Sequence, residues 1–93
     1  IHSRSQSHIM RMLEDAAEYL LLNVIRELAK NYKVSNETIH FMASFYRFSF
    51  AGVIFDWIEK DMHDNPQKIV DQVAILMQGT FPSALERFEK AKM

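Results

Sequence analysis

Hydrophobic residues recur every three or four positions along most of the chain, which is the spacing of one face of an α-helix. Turn-forming residues interrupt this pattern in three places, at 34–36, 64–66 and 79–82. No stretch alternates polar and apolar residues as a strand does, and no internal repeat is found. The pattern therefore predicts an all-α protein, an antiparallel helical bundle of three main helices plus a short C-terminal helix.

The first two helices are long. The first is predicted from about Ser7 to Asn31. The second is predicted from about Asn36 to Lys60, with Ser35 or Asn36 as the N-cap, because either side-chain oxygen can accept a hydrogen bond from a free amide of the first turn. Together they make up about half of the chain.

The last two helices have clear boundary signals. Asp64 or Asn65 can cap the third helix, Pro66 suits its first position, and Gly79 can adopt the left-handed conformation that follows a helix end. The fourth helix is predicted from Pro82 to about Lys92.

The second helix carries apolar residues on two sides. One stripe on the helical wheel holds Met42, Tyr46, Phe50, Val53 and Trp57, and the other holds Ser44, Phe48, Ala51, Phe55, Ile58 and Met62. One stripe can pack against one neighbour, so the second stripe needs another partner. Gly52, beside Ser49 and Ala51, makes a small patch on which a second backbone can come close.

Composition and charge narrow the class of protein. The chain has 93 residues, of which 48% are hydrophobic, and two Gly and two Pro, which indicates one folded domain. Residues 8–93 are assigned to that domain, and the polar segment 1–7 is predicted to be disordered or a cloning remnant. A net charge of −1 gives no electrostatic reason to hold nucleic acid. The lack of Cys, signal peptide and membrane segment favours a cytoplasmic protein without membrane contact.

No arrangement of residues indicates catalysis, so the chain is predicted not to be an enzyme and to need no cofactor or metal. Glu37 and His40 match one Glu-x-x-His unit of a di-iron bundle, but neither a second such unit nor two further inward-facing Glu are found. His40, Ser44 and Arg47 do lie at helical spacing beside Tyr46, as polar groups of a mostly apolar ligand pocket would. The alternative is that Arg47 pairs with an acid and Ser44 bonds its own backbone.

The second helix resembles part of a known family. Residues 45–58, with Gly52 and Trp57 five residues apart, followed by Met62 and then Pro66, resemble the C-terminal domain of TetR-type transcriptional regulators. The closest branch includes regulators of dihydroxyacetone kinase operons. The resemblance runs from about residue 8 to 76. Asp61 stands where the family often has a small residue, and the tail from residue 81 has no counterpart.

The resemblance implies a homodimer in which the second and third helices of two subunits form a four-helix interface. This would use the second apolar stripe, while Trp57 would face the first helix. Carried over by position, the interface residues would be Phe48, Ala51, Gly52, Phe55, Ile58, Ile69, Val73 and Leu76.

The resemblance also implies a function. Such domains bind a small effector and thereby change the DNA affinity of an N-terminal helix-turn-helix domain, which is expected to be missing from this chain, so that DNA is contacted only through that domain. The pocket walls would be Leu20, Val24, Tyr46 and Phe50, with His40, Ser44 and Arg47 as polar groups. The alternative is a free-standing helical interaction or co-regulator module, which would act without an effector.

Overall fold

A computed structural model describes the backbone of residues 2–93 and the side chains of residues 8–93. Within this range the chain forms four helices and no strand, so the predicted all-α class is confirmed. The helices are α1 (His2–Ala29), α2 (Asn36–Glu59), α3 (Pro66–Leu76) and α4 (Thr80–Lys90). Helix α1 begins earlier than the predicted Ser7, and α4 begins just before the predicted Pro82. Ile1 and the side chains of residues 2–7 lie outside the description, so the assignment of segment 1–7 stays a prediction.

The core lies where three helices meet. Helix α1 packs along α2, and α4 packs against α1. The buried cluster consists of Leu21, Ile25, Ala29, Ile39, Met42, Ala43, Ala84 and Leu85. It therefore joins the C-terminal half of α1, the N-terminal half of α2 and the middle of α4.

Helix α4 is an integral part of this domain. Leu85 is fully buried, as is Ile25 of α1. The end of the chain is also fixed, because the Met93 carbonyl accepts hydrogen bonds from Thr38 Oγ1 (2.7 Å) and from the Ser35 amide (2.9 Å). The tail that had no counterpart in the sequence resemblance thus closes one end of the bundle.

The predicted helix boundaries have the expected caps. The Ser35 side chain accepts a hydrogen bond from the Thr38 amide at 3.1 Å. The Asn65 side chain accepts one from the Gln67 amide at 2.9 Å, with Pro66 in the first position of α3. Gly79 has a left-handed backbone with φ of 74°. These short-range signals confirm the predicted starts of α2 and α3. Helix α3 ends at Leu76 with Met77 as its C-cap, and Gly79 stands at the N-cap of α4.

The turn after α2 uses left-handed residues that are not glycine. The Met62 amide donates to the Trp57 carbonyl (2.9 Å) and the Asp61 amide to the Ile58 carbonyl (3.0 Å), which together form a Schellman motif. Asp61 and Met62 have φ of 58° and 55°. The half-buried Trp57 ring donates from Nε1 to the Asp64 carbonyl at 2.8 Å, so it fixes this turn.

The domain is thin, and α3 is poorly covered. It measures 45 × 28 × 17 Å. Two helices packed about 9 Å apart already span about 14 Å between their Cα atoms, which leaves no space for a third layer. None of the residues in α3 is buried. Helix α3 therefore rests on α2 without helping to form the main core.

Replacing Leu85 by Ala should lower the free energy of unfolding by about 2–5 kcal/mol, because it removes a fully buried side chain and leaves a cavity. Leu20, which is 62% exposed, provides the control: Leu20→Ala should change the value by about 0.5 kcal/mol or less. Urea denaturation followed by circular dichroism measures both. Equal effects of the two variants would show that α4 does not contribute to the core.

Replacing Asp61 by Gly should raise the free energy of unfolding by about 0.5–1 kcal/mol, because Gly adopts a positive φ without the steric penalty of a side chain. Asp61→Ala is the matched control and should give no gain, since Ala keeps the Cβ atom that causes the strain. Thermal denaturation compares the three proteins. A gain for Ala equal to that for Gly would mean that the Asp side chain, not the backbone, is unfavourable here.

Candidate functional site

An apolar groove runs between α2 and α3. It encloses about 290 Å³. Its lining consists of Ser49, Phe50, Val53, Ile54, Ile69, Val70, Val73, Leu76 and Met77. Two of these side chains are strongly exposed, Val70 at 57% and Leu76 at 80%. The α2–α3 groove is therefore a hydrophobic surface that the single chain leaves open.

The predicted dimer interface divides into three groups in the structure. Its α3 members, Ile69, Val73 and Leu76, all line the α2–α3 groove. Phe48, Gly52, Phe55 and Ile58 of α2 do not line it. Ala51 is fully buried within the chain, so its side chain is not available to a second subunit as predicted. The small Ala side chain at this position lets α2 pack closely against the rest of the chain.

A second groove lies between the N-terminal half of α2 and helix α4. It encloses about 410 Å³. Its lining consists of Phe41, Met42, Phe45, Tyr46, Ala84, Arg87, Phe88, Ala91 and Met93. The wall is a row of aromatic rings: Phe41 stacks on Phe45 (6.3 Å between centroids), and Tyr46 meets Phe45 edge-on (5.2 Å). This α2–α4 groove shares no residue with the α2–α3 groove.

Arg47 is paired inside the chain. Its Nη1 donates to Glu18 Oε1 at 2.8 Å and to Ser44 Oγ at 3.1 Å. The guanidinium carbon lies 4.5 Å from the centre of the Phe48 ring, a cation–π contact. Arg47 Nε is buried without a hydrogen-bond partner in the described part of the chain. The sequence left open a second interpretation, in which Arg47 pairs with an acid and Ser44 bonds its own backbone. Arg47 does pair with an acid, Glu18, but the Ser44 hydroxyl accepts its hydrogen bond from Arg47.

The residues predicted to form a ligand pocket do not meet in one cavity. His40 is exposed, and its Nε2 accepts a hydrogen bond from Arg26 Nη2 at 3.1 Å. Leu20 and Val24 are 62% and 49% exposed on α1. Tyr46 lines the α2–α4 groove, and Phe50 lines the α2–α3 groove. A shared pocket of all seven candidates is not formed within the single chain, and their role in ligand binding stays a prediction.

The residues that α4 and its C-cap contribute to the α2–α4 groove were not predicted from the sequence. Ala84, Arg87 and Phe88 of α4 and its C-cap Ala91 lie on one side, at spacings of three or four residues. The sequence alone does not indicate which helix the fourth helix would pack against. Only the tertiary contact of α4 with the bundle reveals the groove.

The charged groups of the described residues do not form a reactive cluster. No three His, Cys, Asp or Glu side chains among them come together as a metal site would require. At the end of α2, a hydrogen bond to Asp56 raises the pKa of Lys60 above its ordinary value.

Among residues 2–93, no helix combines the length and the apolar character needed to cross a membrane.

Comparison with protein families gives a match over most of the chain. A TetR-type family model, described as the transcriptional regulator C-terminal region, matches residues 1–79. Neither the search of curated proteins nor the search of solved structures found a significant match. The matched region contains α1, α2 and α3, and α4 begins at Thr80, immediately after it.

Replacing Arg47 by Met should change the free energy of unfolding by about 1 kcal/mol or less, because the ion pair is about a quarter exposed and the buried Nε has no partner. Glu18→Met should cost more, since it removes the counter-charge from a guanidinium group whose buried Nε already has no partner. Urea denaturation of both variants measures the difference. A larger loss for Arg47→Met than for Glu18→Met would show that Arg47 stabilises the domain mainly through other contacts.

Proposed function

Because the chain belongs to the TetR family, as the C-terminal region of a transcriptional regulator, we propose that it is the dimerisation and effector-binding domain of a TetR-like regulator. Two copies would associate through α2 and α3, and DNA would be read by an N-terminal domain outside these residues. A small effector would favour one packing of the dimer and so change the DNA affinity of that domain. The proposal places the protein in the cytoplasm and gives it no catalytic activity.

The observation that carries the dimer proposal is the open α2–α3 groove. Its lining is almost entirely aliphatic or aromatic, and it lies in a domain that has no third layer to cover it. A stable interface buries about 800 Å² on each partner, so it would include the groove and the surfaces beside it. In a two-fold dimer the same surface is used twice, which would bring α2 and α3 of both copies together as four helices.

The loose contact of α3 supports a role in switching. Since no residue of α3 is buried in the single chain, a shift of α3 along α2 would break few core contacts. A population shift needs two packings that differ by only a few kcal/mol. A four-helix interface that contains α3 could therefore be altered by a ligand that binds one packing more tightly than the other.

The dimer proposal predicts that the chain is a dimer at micromolar concentration by light scattering coupled to gel filtration. Leu76→Glu should convert it to a monomer, because Leu76 lines the groove and a buried unpaired carboxylate is costly. Ile75→Glu is the matched control: Ile75 is 73% exposed but does not line the groove, and its variant should remain a dimer.

A wild-type chain that is monomeric at this concentration would contradict the proposal. Its stabilisation by an added amphipathic helix would then favour the free-standing interaction module. Dissociation of both variants to the same extent would show that the groove is not the specific contact.

Gly52 tests how far the interface extends beyond the groove. A Cβ atom built at Gly52 meets no other atom within 4 Å, so the single chain should tolerate Gly52→Leu. We expect this variant to weaken the dimer, by less than Leu76→Glu does, because a bulky side chain would overpack a close helix contact. Sedimentation equilibrium measures the dissociation constants. An unchanged constant would place Gly52, and with it Phe48 on the same side of α2, outside the interface.

A further inference from the structure

The α2–α4 groove has the features of a binding site for a small flat molecule. We propose that it binds an aromatic carboxylate, with the ring between α2 and α4 and the carboxylate at Arg87. The inference rests on the proposed function, because it names the site at which the effector would bind and the chemical class of that effector. The binding event itself requires neither the dimer nor DNA.

The shape of the groove fits one or two fused rings. Its volume of about 410 Å³ lies within the range of about 300–1,000 Å³ that is common for small-molecule sites. The floor is formed by the buried residues Met42 and Ala84. On the α4 side, Ala84 and Ala91 have small side chains, which leaves room opposite the rings of α2. A flat ligand can therefore lie against the aromatic wall.

The aromatic wall is unusually exposed for a single chain. Phe41 is 60% exposed and Phe45 is 62% exposed, although both belong to a well-packed helix. The aromatic contacts continue inward from these rings, since Phe45 meets Tyr46 and Tyr46 meets Phe81 edge-on at 5.1 Å. An added ring would extend this chain of edge and stacking contacts, which favour offset or perpendicular rings 4.5–7 Å apart.

Arg87 supplies the charge that determines the ligand class. It lines the groove, is exposed, and has no ion pair or hydrogen bond with the residues whose side chains the structure describes. Arg47, in contrast, is paired with Glu18, and Glu89 of α4 is occupied by the Lys33 amide at 2.8 Å. A free guanidinium group beside aromatic rings binds a carboxylate through two parallel hydrogen bonds and also stacks on the ring.

The remaining charges around the groove do not reverse this preference. Glu37 and Lys92 line an adjoining hollow, and their opposite charges offset each other there. This hollow shares Phe41, Phe88 and Met93 with the groove. Among the side chains that line the groove, that of Arg87 is charged, and it is a cation. An anionic ligand is therefore favoured over a neutral or cationic one of the same shape.

The test uses 1-naphthoate and its neutral analogue 1-naphthalenemethanol, added to the 93-residue chain labelled for NMR. We expect 1-naphthoate to shift the methyl signals of Met42, Ala84 and Ala91 in a saturable way, with a dissociation constant below about 1 mM. Arg87→Gln should weaken 1-naphthoate binding about tenfold and leave the neutral analogue within about twofold, because only the charge-assisted hydrogen bonds are lost.

Two further variants separate charge from shape. Lys90→Gln removes a positive charge from α4 at a position that does not line the groove, so it should leave 1-naphthoate binding within about twofold of wild type. Ala91→Trp fills the groove from an exposed position and should abolish the binding of both compounds. Its circular dichroism spectrum and melting temperature verify that the variant is folded.

Three results would overturn the inference: no saturable shifts with wild type, equal 1-naphthoate affinity for Arg87→Gln and wild type, or undiminished binding by a folded Ala91→Trp variant. The light-scattering experiment on the dimer is independent of these titrations. A dimeric chain that does not bind 1-naphthoate overturns only the present inference. A monomeric chain that binds it supports the site and overturns the proposed function.

Discussion

The structure depends on one constraint: helix α2 is apolar around most of its circumference, but the domain has only two layers in which to cover it. Helix α1 and the middle of α4 bury the side that carries Ile39, Met42 and Ala43. The remaining apolar residues of α2 are left at the surface, as Phe41, Phe45 and Phe48 show. Burial of apolar area contributes about 25 cal/mol per Å², so an open surface of this kind favours association with another molecule.

The position of the two grooves along α2 determines how they could act together. The α2–α4 groove uses the N-terminal half of α2 and the α2–α3 groove uses the C-terminal half, so a single continuous helix forms part of both. Helix α3 is joined to α2 by a turn with two left-handed residues and the Trp57–Asp64 hydrogen bond. Under the proposed function, a ligand at one end of α2 would alter the dimer only if the two packings of the helices differ in their affinity for it.

Local features of the chain could be predicted from the sequence, because they depend on neighbouring residues. The cap at Ser35, the start of α3 at Pro66 and the left-handed Gly79 all follow from short-range chemistry. Which side of each helix packs against a neighbouring helix could not be predicted in the same way. A helical wheel placed Ala51 on an outward stripe, yet it is fully buried, because the wheel gives an angle and not the path of the helix packed against it. For the same reason, the wheel could not show that the seven pocket candidates do not share one cavity within the single chain.

The family match ends at residue 79, immediately before α4 begins. Helices α1 to α3 lie inside the match to the C-terminal region of a transcriptional regulator. Helix α4 lies outside it but supplies Leu85, which completes the core, and Arg87, the cation that lines the α2–α4 groove. Because Leu85 and Arg87 belong to the same short helix, the segment cannot be removed without affecting both the core and the groove.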